Sequence, residues 1–331
     1  MSRTSHYAFI LAKIYGILAR SFIGANYRDL LRLRSVTELY DRLYPGERPE
    51  APEYQLTADL ERRAAEDAVR TMVSVLEMLV DPPGLLVHLL RRYEFLTVKS
   101  VLRTLAHGLS TEPVDWNLGR WDRLGRAAGQ AWRDAVAESP YGWTLELMEK
   151  ESLLAAENAL DKYYYETLHR LVSELPARDR TGVRKLVTLE TGVTNAIWAL
   201  RLRFLFGMDS EHAAGFLIPG LGREARRTVM QAFEIPPESI EGWRKWRYGW
   251  LIDDQLSEAF QAPDPVRAER QAARRIYTRS HQLFHQDPFT LTPLVAFFRL
   301  KEYEASMLAT AAEALRLGVP GEEVLMLAGL A

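Results

Sequence analysis

The chain has 331 residues, of which 47% are hydrophobic and 26% charged, and this balance excludes a disordered chain because it supplies enough apolar side chains for a folded core. The formal net charge of −2 excludes a global positive field for nucleic acid. The absence of cysteine excludes disulfides, thiolate catalysis and Cys-ligated metals, and it fits a reducing compartment.

The most apolar N-terminal segment, residues 7–24, is predicted to be a buried helix rather than a membrane span. It carries Lys13 and Arg20, and its uninterrupted apolar run is far shorter than the roughly 20 residues that a span requires. The run is also too short for the core of a signal peptide. We therefore expect a cytoplasmic protein whose contact with a membrane is indirect.

Helical periodicity continues along the chain. Residues 56–80 have an apolar face from Leu60 to Leu79, which predicts an amphipathic helix with Thr57 as its N-cap. The prolines at 82 and 83 end this helix. Because no segment shows the alternation typical of strands, the fold class is predicted to be all-α.

The predicted helices form a threefold internal repeat in which short helices precede a pair of long ones. The paired long helices are expected at 56–80 and 85–107, at 144–175 and 180–206, and at 265–285 and 292–317. These units give three helical domains, residues 1–110, 111–208 and 209–331. The short segments end alike, in Leu43-Tyr44-Pro45, Pro140-Tyr141-Gly142-Trp143 and Tyr248-Gly249-Trp250.

The second long helices of the units share a polar pattern. Glu94, Thr97, Lys99 and Arg103 in the first unit correspond to Gly192, Asn195, Ile197 and Arg201 in the second, 98 positions further on. The matching segment of the third unit begins at Glu304, 112 positions after Gly192. The pattern is clear in two units and fades in the third.

These helices also carry a family resemblance. Residues 91–103 resemble the acidic–Asn–Lys–Arg helix of the C subunit of V-type and A-type rotary ATPases, which is named the d subunit in eukaryotes, and residues 189–201 resemble its second copy. The segments 160–166, 217–220 and 301–304 are similar to the family's Leu-Asp-x-x-Tyr-Tyr segment, its Pro-Gly loop and its Lys-Glu-x-Glu helix. The matches cover the whole chain in order. Some positions depart from the pattern, with Gly192 where the family has an acidic residue and Thr97 where it has Asn.

The resemblance implies a funnel or socket of three helical repeats related by a pseudo-threefold axis. It also implies a non-catalytic part of a central rotor. Its role would be to couple the central stalk, made of the D and F subunits, to the membrane proteolipid ring during ATP-driven ion transport or ATP synthesis. The expected location is the inner face of the membrane, with membrane contact only through the complex.

The polar stripe on the second long helices supplies the candidates for the stalk socket. They are Glu94, Lys99, Arg103, Asn195, Arg201, Lys301 and Glu304. A polar socket suits a partner that docks in one orientation, because charge complementarity sets register. The alternative is a solvated helix face with no partner.

Aromatic residues at the ends of the short segments supply the candidates for contact with the ring. They are Tyr44, Trp143, Trp243, Trp246 and Trp250. The segment 243–250 mixes Trp with Arg and Lys, which is also compatible with single-stranded nucleic acid or a membrane surface. Its repeat equivalents are not basic, so we expect no nucleic acid. An apolar stripe of core tryptophans is the remaining alternative.

Two rival functions are open. The first is a helical-repeat scaffold of another cytoplasmic complex. The second is a helical enzyme that uses His281, His285 and Asp287 as metal ligands, although this spacing is more often a solvated face. The sequence has no Walker loop, no His-Glu-x-x-His and no Gly-x-Ser-x-Gly, so we expect no catalysis, cofactor or metal.

Overall fold

The computed structural model describes residues 3–23, 26–30, 32–109 and 112–319. Within these ranges the regular structure is helical and contains no strand, so the predicted all-α class is confirmed. The helices of the first half are α1 (Arg3–Leu18), α2 (Tyr27–Leu30), α3 (Val36–Leu43), α4 (Glu53–Glu77), α5 (Gly84–Leu90), α6 (Arg92–His107), α7 (Trp132–Glu138) and α8 (Trp143–Lys150).

The second half contains four of the five longest helices of the described residues. They and their shorter neighbours are α9 (Leu153–Glu174), α10 (Ala177–Phe204), α11 (Ser210–Ala214), α12 (Arg223–Met230), α13 (Ile240–Lys245), α14 (Pro265–Phe284) and α15 (Thr292–Arg316). Short 3-10 turns lie at Gly119–Trp121, Gln231–Phe233, Gly249–Leu251 and Asp253–Gln255. No helix in the described part of the chain is both long and apolar enough to cross a bilayer.

The long helices contact one another in a closed circuit. Helix α4 packs against α5, α5 and α6 pack against α9, and α9 packs against α10. Helix α10 then packs against α14, α14 against α15, and α15 returns to α4. Three helix pairs around one axis would produce such a circuit. The threefold repeat and the unit boundaries at residues 110 and 208 stay predictions.

A buried ion cluster joins three helices of this circuit. Arg299 of α15 donates from Nε and Nη2 to the carboxylate of Glu190 on α10, at 2.7 and 2.8 Å. Its Nη1 donates to Glu302 Oε2 at 2.8 Å, and Nη1 of Arg92 on α6 lies 3.8 Å from the same oxygen. Each charge faces an opposite charge, as buried ions require.

Helix α4 begins before the predicted position. It follows Pro52, which has the extended backbone typical of an N-cap (φ −60°, ψ 153°), and its first residue is Glu53. Thr57 lies within the helix and its Oγ1 donates to Glu53 O at 2.9 Å. The prediction of Thr57 as the N-cap was therefore wrong, although the predicted apolar face from Leu60 onward is buried.

Two helices that were predicted to be continuous are divided. The segment 144–175 breaks at Glu151, which has φ −121° and ψ −79°, and Ser152 then caps α9 by accepting a hydrogen bond from Ala155 N at 3.1 Å. Serine stabilises a helix start more than a helix interior, which explains the break. The segment 85–107 divides at Arg91, where ψ is −8°.

Candidate functional site

A cavity of about 330 Å³ lies between α6, α9 and α10, with one residue from α14; we call it the polar cavity. Three of the predicted socket residues, Lys99, Arg103 and Arg201, line it together. Aromatic side chains complete the wall, namely Phe95, Tyr164, Tyr165 and Trp198. The cavity therefore combines charged head groups with rigid apolar surface, a combination typical of protein contact sites.

Each of the three cations is held by a carboxylate. Lys99 Nζ lies 2.6 Å from Asp161 Oδ1, and Arg103 Nε lies 2.5 Å from Glu157 Oε1. Arg201 pairs with Glu269 of α14. The side chains of Arg103 and Arg201 remain 57% and 39% exposed, so they are fixed in direction and still accessible to a partner. An ion pair with one side chain this exposed contributes little to stability.

The carboxylate partners were missed by the sequence analysis, although their spacing carried a signal. Arg103 and Arg201 are 98 positions apart, and Glu157 and Glu269 are 112 positions apart. These are the offsets that align the second long helices of successive units. Each arginine thus reaches from a second long helix to the first long helix of the following unit.

Glu94 and Asn195 are placed inside the protein. Glu94 is 1% exposed and accepts hydrogen bonds from Arg123 N, at 2.7 Å, and from the hydroxyl of Tyr141. Burial raises the pKa of Glu94 to about 7. Asn195 donates to Ile218 O at 2.9 Å and accepts from Ile218 N at 2.7 Å. Both side chains fasten loops inside this chain, and their contact with a partner stays a prediction.

Lys301 and Glu304 belong to a second cavity, of about 220 Å³, which Tyr44 also lines. Glu304 is buried, accepts a hydrogen bond from Phe22 N at 2.6 Å and pairs with Lys301. The seven socket candidates therefore do not form one cluster. Three line the polar cavity, two are interior residues and two lie beside α1.

The tyrosines that end the short segments each face a second long helix. Tyr141 bonds Glu94 of α6, and Tyr44 shares a cavity with Glu304 of α15. On α10 a Cβ atom at Gly192 would lie 2.7 Å from the hydroxyl of Tyr248. Glycine at 192, a departure from the family pattern, leaves the space that this tyrosine occupies.

The ring-contact candidates divide by burial. Trp243 and Trp246 are 0% and 4% exposed, and their indole N–H groups donate to Pro237 O at 2.9 Å and to Thr228 O at 2.7 Å. Both rings lie in the interior, as the alternative of an apolar stripe expects for them, and their direct contact with a ring stays a prediction. For Tyr44, Trp143 and Trp250, which are half-buried, contact with a ring stays a prediction.

The histidine pair lies at the C-terminal end of α14, with His285 as the residue that caps the helix. The rings of His281 and His285 lie 5.0 Å apart. In the ranges that the structure describes, no three His, Asp or Glu side chains are arranged to hold a metal ion.

Comparison with known proteins gives consistent matches. A family model described as the ATP synthase (C/AC39) subunit matches residues 10–326. The C subunit of the A-type ATP synthase of Haloquadratum walsbyi is 27% identical over 257 residues, which cover 72% of this chain and 73% of that protein. The protein of the same name from Halobacterium salinarum is 23% identical over 347 aligned positions, covering 98% and 97%. An uncharacterized protein of Treponema pallidum is 26% identical over 323 residues, covering 94% and 92%.

Proposed function

The chain belongs to the ATP synthase (C/AC39) subunit family, which confirms the resemblance found in its motifs, and we propose that it is the non-catalytic rotor subunit that joins the central stalk to the membrane ring. Its partners in this proposal are the D and F subunits of the stalk and the proteolipid ring. It carries rotation between them during ATP-driven ion transport or ATP synthesis, and it lies on the inner face of the membrane.

The polar cavity is the observation that carries this proposal. A stalk that transmits torque must dock in one orientation, and fixed charges set such a register better than apolar contact alone. Arg103 and Arg201 supply these charges from two different long helices, each held by a carboxylate on a neighbouring helix. The volume accommodates side chains of a docked partner beside Trp198 and Phe95.

A rotor adaptor must also resist twisting, and the packing of the long helices supports this role. The helices close a circuit. Inside this circuit the buried Arg299–Glu190 ion pair joins α15 to α10. Densely packed interiors have low compressibility and transmit strain. A load applied to one helix pair would therefore pass to the others rather than being absorbed locally.

The test is recovery of partners with the tagged full chain from detergent-solubilised native membranes, quantified by mass spectrometry. We expect the D and F subunits and the proteolipid to be recovered with the wild-type chain. The double variant Arg103→Gln/Arg201→Gln should lose both stalk proteins and keep the ring, and Trp143→Ala/Trp250→Ala should do the reverse. Arg170→Gln is the matched control, because Arg170 lies on α9 in an exposed ion pair with Glu174.

Recovery of unrelated soluble proteins, with neither stalk nor ring, would contradict the proposal and favour a scaffold of another complex. Equal loss of all partners in the two double variants, with normal folding by circular dichroism, would contradict the assignment of separate surfaces. Loss of partners in the Arg170 variant would show that the effect is not specific to the polar cavity.

A further inference from the structure

A groove of about 540 Å³ lies between α10 and α14. We call it the basic groove. Four cations line it: Arg184 and Lys185 from α10, Arg275 and Arg279 from α14. The remaining lining residues are neutral, namely Thr188, Leu189, Thr278 and Gln282. A concave surface that gathers four positive charges without a carboxylate differs from the rest of this chain, whose net charge is −2.

The cations of the basic groove lack counterions among the described residues. None of the four has a carboxylate within ion-pair distance in the ranges that the structure covers. Elsewhere in the chain exposed arginines are commonly paired, as Arg170 is with Glu174 at 2.9 Å. Helix α14 has one carboxylate, Glu269, which is already paired with Arg201. Uncompensated like charges repel one another. Binding of an anionic partner would relieve this repulsion and lower the free energy.

Two contacts hold the arginines of α14 in place. The guanidinium of Arg275 lies 5.5 Å from the ring centre of Trp250, a cation–π distance. Arg279 donates from Nη1 to Gln282 Oε1 at 3.2 Å. Both interactions are with neutral groups, so the positive charges are oriented and remain available.

The groove lies on a different face from the polar cavity. On α10 the cavity is lined from residue 194 to residue 201, and the groove from residue 184 to residue 189. With 3.6 residues per turn, the two sets point to roughly opposite sides of the helix. A stalk docked in the polar cavity would therefore leave the basic groove open to another partner.

We propose that the basic groove binds an acidic helix of a partner protein. The charges of α14 extend from Arg275 to Arg279 with hydroxyl and amide groups up to Gln282, a distance of about 10 Å along the helix. Carboxylates three or four residues apart on a partner helix repeat at about 5–6 Å and match this extended array. A single phosphate is bound by converging donors, often at a helix N-terminus, whereas the groove is built from mid-helix side chains.

The experiment measures binding of a fluorescein-labelled, alanine-based helical peptide with glutamates on one face to the purified full chain by fluorescence anisotropy. The same peptide with glutamine in place of glutamate is the ligand control. Arg275→Ala/Arg279→Ala tests the groove. Arg223→Ala/Arg227→Ala is the matched protein control, because these two exposed arginines have the same spacing on α12 and remove the same charge.

We expect the glutamate peptide to bind and the glutamine peptide not to bind. Affinity should fall about tenfold in Arg275→Ala/Arg279→Ala and change less than about twofold in the α12 control. Equal weakening in both double variants, or no binding to the wild-type chain, would overturn the proposal. It would also be overturned if vesicles of phosphatidylglycerol and phosphatidylcholine bound in an Arg275- and Arg279-dependent way while the peptide did not.

Discussion

Arg299 and Glu190 form a bidentate ion pair between α15 and α10, with side chains only 3% and 5% exposed. Glu190 lies 98 positions after Arg92 and 112 positions before Glu302, the two offsets that align the second long helices. Two of these aligned positions, Glu190 and Glu302, pair with the guanidinium of Arg299, and the third, Arg92, lies 3.8 Å from Glu302 Oε2. An ion cluster at the meeting point of three helices fixes their register, because each charge is satisfied in only one arrangement.

We predict that Glu190→Ala destabilises the protein by about 3–5 kcal/mol, because it leaves the Arg299 guanidinium buried without its main partner. Replacing both residues, as Glu190→Leu/Arg299→Met, should cost much less, since no unpaired charge from this pair then remains in the interior. Urea unfolding followed by circular dichroism measures both free energies.

Arg170→Ala serves as the comparison for this pair, since its ion pair with Glu174 is 60% and 55% exposed, and it should change stability by less than about 1 kcal/mol. If Glu190→Ala were as mild as Arg170→Ala, the buried pair would not stabilise the contact of α15 with α10. The same would follow if the double variant were the less stable of the two.

The effect of Gly192→Ala on stability is predicted to depend on Tyr248. The substitution should destabilise the wild type but not a variant that lacks the Tyr248 hydroxyl. Glycine inside a helix costs about 1 kcal/mol relative to alanine, so Gly192→Ala alone would be expected to stabilise α10. The added Cβ would instead lie 2.7 Å from the Tyr248 hydroxyl, and Tyr248 is buried against Trp246, which limits its movement. Overpacking costs about 1–3 kcal/mol, so we expect net destabilisation in the wild type.

In a Tyr248→Phe background the same Gly192→Ala substitution should be neutral or stabilising. The hydroxyl is then absent and the next nearest atom is 3.5 Å away, which is an ordinary van der Waals distance. A double-mutant cycle by urea unfolding measures the interaction. Equal effects of Gly192→Ala in the two backgrounds would contradict the contact.

The sequence predicted the helices better than it predicted which residues of the polar stripe are exposed, for a physical reason. Helical periodicity shows which residues share a face of one helix, and this was enough for α10, α14 and α15. It does not show which neighbouring segment covers that face. Asn195 and Arg201 both belong to the predicted stripe, yet the loop at Ile218 covers Asn195 and leaves Arg201 39% exposed.

The breaks inside the predicted helices illustrate the same limit at the local level. By propensity alone, Ser152 is compatible with a helix interior. In the structure its side chain accepts a hydrogen bond from Ala155 N as the N-cap of α9, and this separates α8 from α9. The carboxylate partners of the socket cations could not be predicted from helical periodicity either. Glu157 and Glu269 reach these cations only because α9 packs against α6 and α14 packs against α10.

Asn195 provides a test that separates an interior role from a partner contact. Asn195→Ala removes both hydrogen bonds to Ile218, which is 2% exposed. A buried backbone group without a partner costs about 1–3 kcal/mol. We therefore expect a clear loss of unfolding free energy and faster amide hydrogen exchange at Ile218. Arg103→Gln alters an ion pair whose arginine is 57% exposed and should change stability by less than about 1 kcal/mol. A stable Asn195→Ala variant with protected Ile218 would contradict this role.

Glu94 gives the protein a stability that depends on pH. Burial raises its pKa from 4.5 to about 7 in the folded state, although Arg91 and the hydrogen bonds from Tyr141 and Arg123 act in the opposite direction. Between these values the folded chain holds a proton that the unfolded chain has released. The contribution of Glu94 is therefore complete below pH 4.5 and is lost as the pH rises to about 7.

His88 has the opposite effect, because burial lowers its pKa from 6.5 to about 4, so its contribution is lost as the pH falls through that window. Comparing the wild type with Glu94→Gln isolates the carboxyl, since both proteins contain His88. The unfolding free energy of the wild type relative to this variant should decline by up to about 3 kcal/mol from pH 4.5 to 7. Glu146→Gln, at an exposed carboxyl on α8, is the control for removing one carboxyl elsewhere in the chain. Parallel pH profiles for wild type and Glu94→Gln would mean that the buried carboxyl titrates alike in the folded and unfolded chain.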